Sequence, residues 1–361
     1  MLKAGAEGPF LKDQRPWLFI GKSLASTSKE RTVGMAQTML EPQAIRDAVM
    51  LACRAPSLHN SQPWHWVAER GQLHLFADRK ALVQNIDRSG REMILSCGAM
   101  LDHLRVAMAV AGWDTAVNRF PDSLSADHLA TLEFSPLGSD RDADRQRAGA
   151  ILRRRTDRLP FAAPRHWDSL ERQLRSQIDQ DTVTLGVIPE DARQQLGEAS
   201  RLTEAIRHND PSYQSELRWW TSPFDLDQGV PPSARVSASE ASRVDVARAF
   251  PTTGYEERRA TIDVDHSKIL VLSTRDDTRP QVLRCGEVLS AVLLECTIAG
   301  MATCTLTHMT EITPARELIQ GLSGQPGLPQ LLIRVGKVPA VERHVPATPR
   351  RPLSDVLEFR Y

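Results

Sequence analysis

The stretch Ala55-Pro56-Ser57-Leu58-His59-Asn60-Ser61-Gln62-Pro63-Trp64 sets two prolines, two serines, an asparagine and a glutamine directly after a helical pattern. Ahead of it, Ile45, Val49 and Cys53 recur on one face from Glu41 until Pro56 stops the helix. Behind it, Trp64 to Ala68 reads as a strand. Backbone N–H groups freed by the turn at Pro56-Ser57 can donate to carbonyl oxygens of a flat, polar heterocycle. Asn60 offers a donor and an acceptor to an imide edge, and Gln62 can do the same or brace the loop. On spacing alone, the stretch also fits an ordinary helix-stop loop held by Asn and Ser.

Further along, Leu73 to Phe76 reads as a strand and Glu92 to Gly112 as a long apolar helix, central and buried on most sides. Strands are expected at Thr115 to Phe120 and Leu129 to Phe134, then a polar linker at Gly138 to Asp144 and a helix at Gln146 to Arg155. A second set follows: strand Ile269 to Leu272, helix Val282 to Gly300, strand Thr303 to Thr307, helix Pro314 to Leu322 and strand Leu331 to Val335. At an offset of 188, Leu95, Cys97, Gly98, Leu101, Ala111, Gly112 and Thr115 meet Leu283, Cys285, Gly286, Leu289, Ala299, Gly300 and Thr303. Two amphipathic helices converging on small residues would give some of this; a tandem duplication gives all of it. The halves would then pack as a homodimer does, with the long helices paired at a pseudo-twofold axis.

A second chemical cluster is Arg153-Arg154-Arg155-Thr156-Asp157-Arg158. Guanidinium forks and a hydroxyl suit a phosphate monoester dianion, and a solvated basic helix end is the plainer reading. A third is Thr348-Pro349-Arg350-Arg351-Pro352-Leu353, after the last strand. The stretch Leu217 to Arg235 has no counterpart in the first half. With Trp219, Trp220 and Phe224 it reads either as a lid or as a surface loop anchored by aromatics.

Pro56-Ser57-x-x-Asn60-x-Gln62-Pro63-Trp64 resembles the flavin-side motif of the nitroreductase family, and Arg154-x-Thr156-x-Arg158 resembles the motif with which that family grips the FMN phosphate, with Thr for the more usual Ser. The resemblance implies an α+β, nitroreductase-like fold of mixed β-sheets flanked by helices. Its Acg-type branch implies a tandem-duplicated pseudo-dimer. The expected divisions are a mobile tail over 1–38, a first half over 39–138 and a second half over 139–361 with the insertion near 217–235. FMN is the implied cofactor, held by Pro56, Ser57, Leu58, Asn60 and Gln62 on one side and by Arg154, Arg155, Thr156 and Arg158 at the phosphate. Arg350 and Arg351 add charge there, and Thr305, Leu306 and Thr307 pass the flavin edge. No family role transfers to His59.

The implied activity is an FMN-dependent NAD(P)H oxidoreductase acting on nitroaromatics or quinones by ping-pong hydride transfer, the flavin itself carrying the chemistry. A lid over a lone flavin leaves a second reading, an FMN storage protein with little turnover. No G-x-G-x-x-G follows a strand, so NADPH or NADH would meet the flavin directly rather than through a Rossmann domain.

The bulk composition fits this picture. The chain has 361 residues, 41% apolar and 25% charged, the balance of a packed globular protein. Its 45 basic residues face 45 acidic ones, so no net field draws nucleic acid or an anionic membrane, and any anion site is local. Five cysteines, none in a C-x-x-C pair, imply buried thiols in a reducing cytoplasm and no dedicated metal site. No apolar run reads as a membrane span, and Pro16 to Ile20 is too short for an export signal. Met35 and Met39 are alternative starts. A monomeric pseudo-dimer with one flavin is the expected state.

Overall fold

A computed structural model describes residues 40–138, 142–222, 227–251, 256–339 and 346–361. The expected N-terminal tail, the middle of the Gly138–Asp144 linker and Phe224 lie outside the described residues. The first set of elements is α1 (Pro42–Ala52), β1 (Trp64–Glu69), β2 (Gln72–Ala77), α2 (Arg91–Ala111), β3 (Trp113–Arg119) and β4 (His128–Pro136). After α3 (Asp142–Arg153) come α4 (Trp167–Gln177), β5 (Thr184–Val187), α5 (Arg193–His208), α6 (Pro211–Trp220) and α7 (Ala238–Ser242). The rest is β6 (Lys268–Thr274), α8 (Arg279–Ile298), β7 (Ala302–Leu306), α9 (Thr313–Ser323), β8 (Leu328–Gly336), α10 (Leu353–Val356) and β9 (Leu357–Arg360).

Two sheets sit on either side of the long helices. One runs β3-β4-β2-β1-β9 and the other β7-β8-β6-β5, so the four strands of each set stand in the same order, antiparallel throughout. β9 is the addition: it pairs parallel to β1, with Trp66 opposite Leu357, and so carries the end of the chain across to the first sheet.

α2 lies along α8, and the reason they approach so closely is a pair of glycines. A Cβ on Gly98 would stand 2.2 Å from the Leu283 carbonyl oxygen, and one on Gly286 would stand 2.2 Å from that of Leu95. The contact is reciprocal at the 188-residue offset, the signature of an isologous interface. α2 is long and apolar enough to cross a membrane by length and composition, contrary to the sequence reading, yet 78% of its most apolar window is buried in the protein. It is a core helix, in one continuous core with α1, α8 and both sheets. All five cysteines are free and buried, four in this core and Cys304 on β7 in a second one.

The strand and helix expectations around both long helices hold to within a few residues. The insertion differs. Leu217 to Trp220 is the end of α6, not loop, and the extra structure begins with α5.

Candidate functional site

Three backbone positions in the loop after α1 are forced into the left-handed region: His59 at φ 50°, Asn60 at 61° and Gln62 at 51°. For residues with a Cβ this costs free energy, and such strain gathers at binding sites. Local bonds hold it. The Gln62 amide N–H donates to Ser57 Oγ at 3.0 Å, and Ser96 Oγ on α2 accepts from the Leu58 amide at 3.3 Å.

The loop divides two adjoining chambers. One, of about 380 Å³, is largely apolar; Pro56, Ser57, Leu58 and His59 face Leu95 and Leu289 of the long helices and Thr305, Leu306 and Thr307 at the end of β7. The other, of about 540 Å³, is basic; Asn60, Arg54, Arg154, Arg155 and Arg350 line it. Pro56, Ser57, Thr156 and Arg158 border both chambers, so a single elongated ligand can occupy the two together.

The arginines reach the basic chamber from three elements. α3 ends at Arg153, and the chain then runs extended beside β7, where the Asp157 amide donates to the Thr303 carbonyl at 2.9 Å. That fixes Arg154, Thr156 and Arg158 along the strand. Asp157 also lines this chamber, bonded to Arg259 at 2.5 Å and paired with Arg155 at 3.4 Å. Arg350 arrives on the segment before β9 and donates to the carbonyls of Cys53 (2.6 Å), Arg54 (3.1 Å) and Pro349 (2.9 Å). Arg154 donates to the Arg54 carbonyl at 3.1 Å, and Arg54 to that of Thr348 at 2.9 Å.

Among the described residues no carboxylate bonds Arg54, Arg154 or Arg350, and Arg154 Nε is buried without a partner. Burial first, then mutual repulsion, lowers Arg154 to about 10 and Arg350 well below the usual arginine range. A buried group of like charges held by carbonyls alone is suited to an anion.

Most of the sequence candidates line one chamber or the other. Gln62 and Arg351 do not. Gln62 is fully buried, its Nε2 donating to the carbonyls of Asp227 (2.7 Å) and Asn60 (3.2 Å) while Oε1 accepts from the Arg351 amide at 2.9 Å. Arg351 pairs with Asp78 at 3.1 Å. Both are braces, and Arg350, the residue after Pro349, supplies the charge instead. Asn60 also sits away from the expected ring edge: it lines the basic chamber and donates to the Pro349 carbonyl at 3.2 Å.

No family model matches the chain. A Mycobacterium tuberculosis H37Rv protein named "Putative NAD(P)H nitroreductase acg" is 52% identical over 326 residues, which cover 90% of this chain and 98% of the relative. The chain belongs to the nitroreductase family. A second protein of that strain, uncharacterised, is 53% identical over 320 residues, 88% of this chain and 93% of its own length. Among solved structures, the FMN-dependent nitroreductase NfnB from Mycobacterium smegmatis, in complex with NADPH, aligns over 61% of this chain and 100% of its own at 15% identity, TM-score 0.38.

Several residues of this nitroreductase-family site escaped the sequence reading. The apolar chamber has a further wall from α5 (Ser200, Arg201, Glu204) and from residues 236–250, ending in Arg248, Ala249 and Phe250. Trp219 and Trp220 are not part of it: Trp220 packs with Tyr213 and Leu217 against Val83 and Ile86, and Trp219 faces solvent. Of the expected insertion, Gly229 to Pro231 with Ser233 and Ala234 border the basic chamber. His59 is buried in the apolar chamber, edge-on to Phe250, with Nε2 unpartnered. Burial, then Arg248 and Arg158, holds its imidazole neutral.

Proposed function

We propose that the chain binds one FMN across the two chambers and is an NAD(P)H-dependent oxidoreductase of nitroaromatics or quinones. The observation that carries the reading is the group Arg54, Arg154 and Arg350, bonded to no carboxylate among the described residues, in a basic chamber joined to an apolar one through Thr156 and Arg158. Arg54, Arg154 and Arg350, with the Thr156 hydroxyl, would hold the phosphate; Pro56 to Leu58, Leu95, Leu289 and Thr305 to Thr307 would enclose the ring. When bound, FMN supplies the two-electron chemistry that no side chain here provides. The protein's part is to bind, to exclude water and to admit donor and acceptor in turn, which gives ping-pong kinetics.

The shared strand order and the reciprocal Gly98–Gly286 contact favour two duplicated halves with a single site between them, in a chain that works as a monomeric pseudo-dimer. A cytoplasmic setting suits the five free thiols. The wall of α5 and residues 236–250 also favours a storage protein, because Arg248 latches it to Thr307 Oγ1 at 3.1 Å on the far side of the chamber.

Anaerobic mixing of the flavin-loaded chain with NADPH or NADH separates these. Bleaching of about one flavin per chain by either donor is the expected result. Flavin that stays oxidised with both leaves storage, and a chain that takes up no FMN overturns the reading.

A further inference from the structure

Reduction of a quinone or a nitro group consumes protons as well as electrons, so the apolar chamber needs an acid. Among the carboxyl and imidazole side chains in or behind its walls, Asp245 is paired with Arg193 at 2.8 Å. His59 and His308 are held neutral by burial and by nearby arginines, and His308 Nε2 is engaged by Ser200 Oγ at 2.9 Å. Glu92 is bound by Arg91. Glu204, on α5, is different: its Oε1 is shut from solvent and has no hydrogen-bond partner among the described residues, where a buried polar atom normally has one.

The Ala249 amide bonds the Glu204 carboxyl, and the neighbouring cations explain why Oε1 is left over. Arg248, the charge that acts on it most, is committed to Glu311, to Thr307 Oγ1 at 3.1 Å and to Tyr213 Oη at 2.7 Å. Glu311 also takes Arg207 at 3.4 Å. Both arginines spend donors on Glu311, and Glu204 Oε1 is left without a hydrogen bond on the chamber wall.

We propose that Glu204 is the catalytic acid that protonates the acceptor during its reduction. The proposal rests on the oxidoreductase reading. A quinone that gains a hydride carries a new oxyanion. The Glu204 carboxyl gives that oxygen its proton, so quinone, hydride and proton make the hydroquinone, and the carboxylate left behind regains a proton from water. NAD(P)H, oxidised to NAD(P)⁺ over the cycle, is the source of the two electrons. Arg201 and Asp245 border both this chamber and the neighbouring polar cleft, which gives the returning proton a route.

The titration fits the task. Burial raises the Glu204 carboxyl to about 7; Arg248, the Ala249 amide and Arg207 oppose that and Glu311 adds to it. An acid titrating near the working pH is the efficient one.

The test compares the flavin-loaded chain with Glu204→Gln and Glu204→Asp. In the wild type, quinone reduction should fall as pH rises through about 7. Relative to ferricyanide, which takes electrons without protons, Glu204→Gln should lose roughly 10²-fold on the quinone and the pH limb with it. Glu204→Asp should restore the limb. Infrared difference spectra supply a readout apart from turnover: a protonated carboxyl component titrating near 7 that is lost in Glu204→Gln, while those of Asp102 and Glu92, raised by burial to about 6 and about 8, remain. A quinone-to-ferricyanide ratio and pH limb unchanged in Glu204→Gln would overturn the proposal alone. A wild type whose flavin no donor reduces would overturn the oxidoreductase reading and the proposal with it.

Discussion

The corner of the molecule at Thr305 to Thr307 is open, whereas the corner at Val117 to Arg119 is shut. The 188-residue offset relates them, carrying Arg119 onto Thr307, Ser96 onto Arg284 and Ala99 onto Glu287. At the open corner the side chains are small, and the charge beyond them, Arg54, Arg154 and Arg350, has no carboxylate among the described residues. At the shut corner the side chains are large and bond one another: Arg119 grips Glu287 through two bonds of 2.7 Å, and Arg284 adds a third at 3.3 Å. One corner keeps a space beside arginines that no carboxylate bonds among the described residues. The other is filled by arginines gathered on one carboxylate.

The strongest blow to that contrast falls on the shut corner. Glu287 is almost fully buried, and Glu287→Ala would leave Arg119 and Arg284 without their anion. Removing one partner of a buried pair costs about 3–5 kcal/mol. Chemical denaturation should show a loss of that size with flavin content per folded chain unchanged; a loss of flavin would mean that the two corners are not separate.

The axis between the corners gives the next test. Gly98→Ala and Gly286→Ala each drive a methyl into a backbone carbonyl 2.2 Å away on the other helix. Overpacking of this kind costs about 1–3 kcal/mol. If α2 and α8 are duplicated partners, the two losses in thermal melts should match; one tolerated and one ruinous would break the pseudo-twofold reading.

At the open corner, Arg154→Met removes a buried cation whose side chain, among the described residues, bonds the Arg54 carbonyl. A charge-assisted hydrogen bond contributes about 1.5–3 kcal/mol, so FMN affinity, read by quenching of flavin fluorescence, should fall by roughly ten- to a hundredfold. The flavin-free chain should melt no lower than wild type, because Arg54 and Arg350 lose a like charge. A lower melt without loss of affinity would make Arg154 a structural residue.

The contrast also explains what was legible in the sequence. Helices α2 and α8, their flanking strands and the Arg154-x-Thr156-x-Arg158 run announce themselves because periodicity and charge density are local properties. Gln62 and Arg351 look like ligands for the same local reason, and only the fold shows that they bond each other, with Gln62 also taken by the Asp227 carbonyl and Arg351 by Asp78. Arg54, Glu204, Arg248 and Phe250 gave no signal, since each matters through neighbours remote in the chain. Only the burial spacing of Leu196, Ala199, Ser200, Thr203 and Arg207 would have marked α5 as a helix laid against the core.

The smallest expected effect bears on the wall that only the open corner has. A carboxyl raised from an ordinary 4.5 to about 7 keeps its proton in the folded chain while the unfolded chain has lost it. Folded protein then binds more protons across that window, so stability falls as pH rises from about 4.5 to about 7 and levels off above it. Each unit is worth 1.36 kcal/mol, and the partial exposure of Glu204 trims the sum to about 2 kcal/mol. Glu204→Gln should flatten that part of the stability–pH curve of the flavin-free chain and raise its melt at pH 8. Asp102, raised by burial to about 6, slopes the same way in both proteins, so the difference between the two curves isolates Glu204. Parallel curves would mean that Glu204 is charged in the folded chain at pH 5–7, and the open corner would then have no acid of its own.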